Sequence, residues 1–208
     1  MIDQIQWLGH ATFIIQGPPL IYINPWRVTR SAFHADAILI GHDGYETCSP
    51  ADISKLRGES TIVVGNASVA EQVEDCTILR PWHTLTVGSH AAIKAIPAYT
   101  SDVPLRGPES GGLGFVISIN YHDIYYAGTT GLTEEMDRIR PDIAIFPVSG
   151  HDTMTIEQVT DVVKAMRPRY VIPSHWGGPG AGPTRTDLLA FKSDLDGWTE
   201  VIVPQQPR

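Results

Sequence analysis

Cysteine is nearly absent from this sequence. Cys48 and Cys76 are the two in 208 residues, too few for a disulfide framework. Charge is also scarce: Asp, Glu, Lys and Arg make up 18% of the chain, against roughly a quarter in ordinary soluble domains. With 42% hydrophobic residues, that balance excludes disorder, a coiled coil and a collagen-like repeat. No apolar run approaches the ~18 residues of a membrane span, and nothing at the N-terminus reads as a signal peptide. Basic residues are outnumbered, 15 against 23, for a net charge of −8. A surface of that sign repels phosphate backbones and anionic lipid, so neither nucleic acid nor membrane is an expected partner. A cytoplasmic protein of one domain, 1–208, is expected. What is present in quantity is Gly (19), Pro (16) and eight His: many tight turns, and imidazoles enough to raise the question of a metal enzyme.

The first half of the chain reads as short β-rich runs bounded by turn residues. Ala11 to Ile15 and Leu20 to Ile23 form a hairpin around Gly17-Pro18-Pro19. Ala37 to Ile40 and Thr61 to Val64 are buried strands. Leu85 to Val87 and Ala91 to Ile96 flank a Gly88-Ser89 turn, and Phe115 to Ile119 and Ile124 to Ala127 form another hairpin. Ser49-Pro50 reads as a helix start with proline at the first position, and Ser68 to Glu71 as a second with capping-box spacing. The second half alternates helix and strand: Thr133 to Ile139 helical, Asp142 to Val148 a strand, a helix from Thr155 to about Met166, Tyr170 to Pro173 a strand, and Thr186 to Leu195 a last helix capped near Thr184. Gly177 to Gly182 is expected to be a mobile loop. Hairpins followed by β/α units fit neither a pure sandwich nor a doubly wound sheet.

Five polar clusters directly follow apolar strands, where sheet-based sites are assembled. They are Trp7-Leu8-Gly9-His10, Gly41 to Pro50, Ala127 to Gly131, Pro147 to Asp152, and Pro173 to Gly177. Any one of them is an ordinary turn. Five at strand ends point to a shared site.

The order and wording of these clusters resemble the metallo-β-lactamase-fold hydrolases, in particular the branch of the ascorbate-6-phosphate lactonase. The similar segments are Trp7 to Phe13, Ile21 to Trp26 (with Asn24 where the family usually has Asp), Ile96 to Tyr99, Gly112 to Ile117, Tyr125 to Gly128, Pro147 to Gly150, Met154-Thr155 and Ile172 to His175. The resemblance implies an α/β fold, a four-layer αββα sandwich, with the site at one edge of its two sheets. It also implies a His-x-His-x-Asp-His metal motif. Here that stretch reads His42-Asp43-Gly44-Tyr45-Glu46-Thr47, so His42 matches, Glu46 stands for Asp, and Gly44 and Thr47 replace imidazoles. Arg106, in Pro104-Leu105-Arg106-Gly107, stands where a later family histidine is expected. Thr129 stands for the bridging aspartate, and His175 is retained.

A tight zinc site needs three or more protein ligands, and a two-metal site also needs a bridging group. The expectation is therefore no metal cofactor, with one zinc or manganese ion on His42, His175 and either Asp43 or Glu46 as the alternative. Arg106 would supply positive charge in place of the ion and pair with Glu46 or Asp43, or else point to solvent. The expected pocket is lined by His10, His42, Asp43, Glu46, Arg106, Thr129, His151 and His175. His151-Asp152 reads either as an oriented base or, with Thr155, as the cap of the next helix. The catalytic residue stays open: Thr129, Thr130, Ser149, Ser174 and Cys48 are all nearby hydroxyls or thiols, and none lies in a Gly-x-Ser-x-Gly turn.

The leading expectation is a degenerate metallo-β-lactamase-fold protein. It would have lost the dinuclear centre and metal-dependent activity, and would bind a small anionic ligand through Arg106 and the histidines. The alternative is an active hydrolase, mononuclear or metal-independent, on a lactone or phosphoester. A silent structural subunit is a third reading.

Overall fold

The computed structural model describes residues 1–29, 31–101, 103, 106–177 and 182–206. Pro104-Leu105 and most of the expected glycine-rich loop lie outside these residues.

Two mixed sheets face each other. The first runs in sequence order: β1 (Ile5–Gly9), β2 (Thr12–Ile15), β3 (Ile21–Ile23), β4 (Ala37–Leu39), β5 (Ile62–Gly65) and β6 (Cys76–Ile78). Its first three strands pair antiparallel and the rest parallel. The second contains β7 (Thr84–Val87), β8 (Ala91–Pro97), β9 (Leu113–Ile119), β10 (His122–Tyr126), β11 (Ile143–Pro147), β12 (Tyr170–Ser174) and β13 (Glu200–Val201). Here β7 to β10 are antiparallel neighbours, and β10 to β13 are parallel.

Side-chain alternation explains the layering. Successive residues of a strand point to opposite faces. Phe13, Ile15, Ile21, Ile23, Ala37 and Leu39 therefore join a core with the second sheet's Ile93, Phe115, Ile117 and Tyr126. Their neighbours Ile14, Tyr22 and Ile38 turn the other way, onto Ile53 and Leu56 of α1 (Pro50–Leu56) and Val69 of α2 (Ala67–Ala70). On the far side α3 (Ile156–Met166) buries Val159, Val163 and Met166, and α4 (Arg185–Asp194) buries Leu188 and Phe191. With both sheet faces covered, the strands read as continuous apolar runs. This is the expected four-layer αββα sandwich.

Two helix expectations change. The second helix is a single turn capped by Asn66, whose side chain accepts from Val69 N–H, so the capping-box spacing of Ser68 to Glu71 goes unused. Thr133 to Ile139 shortens to a 3-10 turn, Glu134–Arg138. α3 and α4 carry full capping boxes at Thr155 and Thr184.

A buried polar bridge ties the sheets together near the site. Asn24 Nδ2 donates to the Tyr126 hydroxyl at 2.8 Å, and that hydroxyl donates to Ala11 O at 3.0 Å. Asn24 Oδ1 accepts from Gly41 N–H at 2.8 Å, which fixes the start of the loop carrying His42.

Candidate functional site

The site is built at strand ends. His10 follows β1, His42 follows β4, Thr129 follows β10, and His175 follows β12. His10 and His175 are held at positive φ, 45° and 58°, a conformation non-glycine residues seldom adopt and which clusters at functional sites. Two hydrogen bonds hold them there: the Trp7 indole and the His175 N–H both donate to His10 O, at 2.9 and 3.1 Å.

A cavity of about 320 Å³ is lined by His10, His42, Glu46, Arg106, Thr129, Asp152 and His175, together with Gly44, Tyr45 and Thr47. Three imidazoles crowd its floor. The His10 and His175 rings lie 4.5 Å apart between centroids. His42 Nε2 and His175 Nε2 each lie 3.1 Å from the Thr129 hydroxyl. His10 Nε2 reaches Glu46 Oε2 at 3.0 Å, and Arg106 reaches Asp152 Oδ2 at 3.3 Å. Arg106 Nη1 is buried and has no hydrogen-bond partner among the described residues.

The imidazoles are neutral at pH 7. Burial is the main cause, because a charged ring is poorly solvated there. It takes His42 down to about 4, with the Arg106 charge adding to the effect. His175 is held well below the usual histidine range by burial, by the two neighbouring histidines and by Arg106. In His10, burial outweighs the opposing pull of Glu46 and the shift is again downward.

The proton positions follow from the donors. Gly44 N–H donates to His42 Nδ1 at 2.9 Å, so the single ring proton of neutral His42 sits on Nε2 and points at Thr129. Gly44 is required here: a Cβ at this position would stand 2.4 Å from His42 Cε1.

Most of the expected pocket residues come together, and two do not. Asp43 lines a smaller cavity of about 130 Å³, shared with Tyr99, Arg106 and Thr129. His151 lies in a separate groove with Ser149, Thr155 and Asp187. Asp152, its neighbour, enters the pocket instead: consecutive loop residues diverge, and the Thr100 hydroxyl anchors Asp152 O at 2.8 Å. Arg106 therefore pairs with Asp152, not with Glu46 or Asp43, and Thr155 caps α3 without Asp152. The adjacency of Asp152 to His151 was the sequence signal for it. Thr47 donates to backbone oxygens, His42 O and Gly44 O being 2.9 Å away.

Among the described residues, no three His, Cys, Asp or Glu side chains are arranged to hold a metal ion. The chemistry of the donors explains it. Both ring nitrogens of His42 are engaged, one accepting from Gly44 and the other carrying the proton, and the Arg106 guanidinium shares the cavity. As arranged, these residues do not fit a metal centre.

Residues 4–175 match the family model described as the beta-lactamase superfamily domain. A UPF0173 metal-dependent hydrolase of Thermoplasma volcanium is 30% identical over 97% of this chain and 96% of its own length. A second, from Thermoplasma acidophilum, is 29% identical over 97% and 95%. Among solved structures, a protein from Parabacteroides distasonis superposes with a TM-score of 0.85 at 23% identity, covering 97% of this chain and 92% of its own. Igni18, a metallo hydrolase from Ignicoccus hospitalis, does so at 0.79 and 23%, covering 98% and 94%.

These relatives overturn one expectation. Proteins matching nearly end to end are named metal-dependent hydrolases, which points to a metal cofactor where the sequence reading expected none. From the two sheets, the strand-end site and the matched length together, the chain belongs to the β-lactamase superfamily, among the UPF0173 metal-dependent hydrolases.

Proposed function

We propose that the protein is a hydrolase of small anionic substrates, a lactone or a phosphoester, acting in the pocket between His10 and Asp152. The observation that carries this reading is Arg106. Among the described residues its Nη1 is buried without a partner, beside three neutral imidazoles, which leaves donor capacity there for a carboxylate or phosphate. The carboxylates of Asp152 and Glu46 line the same cavity, so an anionic substrate takes Arg106 in competition with Asp152, and the imidazoles add no charge at pH 7. The relatives' name supports hydrolysis over a silent shell, and their metal requirement makes added metal part of any assay. The sequence resemblance to the ascorbate-6-phosphate lactonase branch makes a lactone the first substrate to try.

The test is turnover of a panel of lactones and phosphomonoesters, with Zn²⁺ or Mn²⁺ supplied. Turnover by the wild type that falls at least tenfold in His175→Gln is the expected result. Equal rates in the two proteins would remove the pocket from the reaction.

A further inference from the structure

Tyr45 is 78% exposed, yet it stands in the wall of the cavity that holds His10, Arg106 and His175. The turn that carries it is tied down. Gly44 O accepts from the Thr47 and Cys48 N–H groups at 3.0 and 2.8 Å, and both of those residues are buried. The ring is held as well. It meets Trp26 in a T-shaped contact with centroids 6.2 Å apart, and Trp26 makes a second such contact with His10 at 6.1 Å. Arg27 Cζ lies 4.2 Å from the Trp26 centroid, which braces the indole from a further side. A T-shaped pair covers at most one face of either ring, so Tyr45 keeps an open face. A braced aromatic face in a pocket wall is apolar area left in water where a ligand can cover it.

Charge decides what that face takes. Glu46 follows Tyr45 in the chain, lines the same cavity and pairs with His10 at 3.0 Å. A second anionic group carried towards Tyr45 meets the Glu46 carboxylate, whereas an apolar group gains buried area there and meets no repulsion. The cavity, at about 320 Å³, lies in the range of small-molecule sites. We propose that Tyr45, braced by Trp26, selects what enters this pocket, and that its ligand carries one anionic head, placed on Arg106, and one aryl group, placed on the Tyr45 ring. This rests on the hydrolytic reading above for the ligand's being the substrate, and it narrows the class to aryl-substituted anionic lactones and phosphoesters.

The experiment uses two non-hydrolysable probes, phenylphosphonate and methylphosphonate, titrated calorimetrically into wild type, Tyr45→Phe and Tyr45→Ala with the same metal supplied throughout. The phosphonate head and the metal are common to both probes, so the ratio of the two affinities reads the aryl group alone. An aromatic contact and the area it buries are together worth about tenfold in affinity. Expected are a preference for phenylphosphonate of about that size in wild type, its retention in Tyr45→Phe, and its fall to within twofold in Tyr45→Ala, with the KM for phenyl phosphate rising in step. Thermal melts of both variants check that each has folded, and Tyr45→Phe keeps the ring if the alanine variant has not. Equal affinities for the two probes in wild type, or the same preference in a folded Tyr45→Ala, overturn the role of Tyr45, whatever the turnover. Failure of wild type to bind phenylphosphonate overturns it too, and lactone or phosphoester turnover in that preparation leaves the hydrolase reading standing alone. The expected preference without turnover of any aryl ester overturns the hydrolase reading and keeps Tyr45 as the residue that selects the ligand.

Discussion

The backbone N–H of Gly44 donates to His42 Nδ1 at 2.9 Å, and no side chain fits between them. That contact fixes the tautomer of His42, leaving its proton on Nε2. Gly44→Ala would put its Cβ 2.4 Å from the imidazole and force His42 aside. We expect a loss of about 1–3 kcal/mol, the usual cost of overpacking, read by urea denaturation, together with reduced turnover. An unchanged midpoint and rate would show that the His42 position is not constrained from this side.

The neutral histidines make stability depend on pH. His42 titrates near 6.5 when unfolded and about 4 when folded, so between these values the unfolded chain binds the extra proton. Stability from this residue is fully present above about pH 6.5 and declines as pH falls towards 4, by on the order of 3 kcal/mol in all. His10 and His175, shifted in the same direction, steepen the slope. Urea unfolding at pH 7 and pH 5 should show a clear drop, and His42→Gln should show a smaller one. A pH-independent midpoint would mean the imidazoles are solvated.

Much of this was legible from residues alone. Strands with apolar side chains on both faces, such as Phe13-Ile14-Ile15, announce a sheet covered on both sides, and strand-end clusters located His10, His42, Thr129 and His175. Pairing across loops was not legible. Nothing local tells Asp152 from His151: the Thr100 hydroxyl on Asp152 O and Arg106 on its carboxylate hold one at the pocket, while the other lies in the groove. The hydroxyl of Tyr126 is equally silent in sequence, because its partners Asn24 and Ala11 are more than a hundred residues away. The relatives' metal dependence is likewise silent in this stretch, where Gly44 and Thr47 stand in place of imidazoles.

That tyrosine supports the third prediction. Tyr126→Phe leaves the buried Asn24 amide and Ala11 carbonyl without their partner, at a cost of about 1–3 kcal/mol. Because Asn24 also holds Gly41 N–H, turnover should fall with stability. Equal melting temperatures for variant and wild type would show that another group takes over the bridge.

The Arg106–Asp152 pair is about one-third exposed on each side, so solvent weakens it and its value to stability is small. Asp152→Asn should therefore change the melting temperature little while removing the charge that competes for the guanidinium. The expected outcome is tighter binding of an anionic competitive inhibitor such as inorganic phosphate. Weaker binding would mean that Asp152 positions Arg106 more than it competes for it.

The central claim is that this pocket hydrolyses small anionic molecules held by Arg106. It is tested most directly by kcat/KM for matched anionic and uncharged lactones, measured in wild type and Arg106→Met with the same metal supplied. The account predicts a loss of at least tenfold for the anionic lactone, carried by KM, and little change for the uncharged one. Equal losses on both substrates, or none on either, would contradict it.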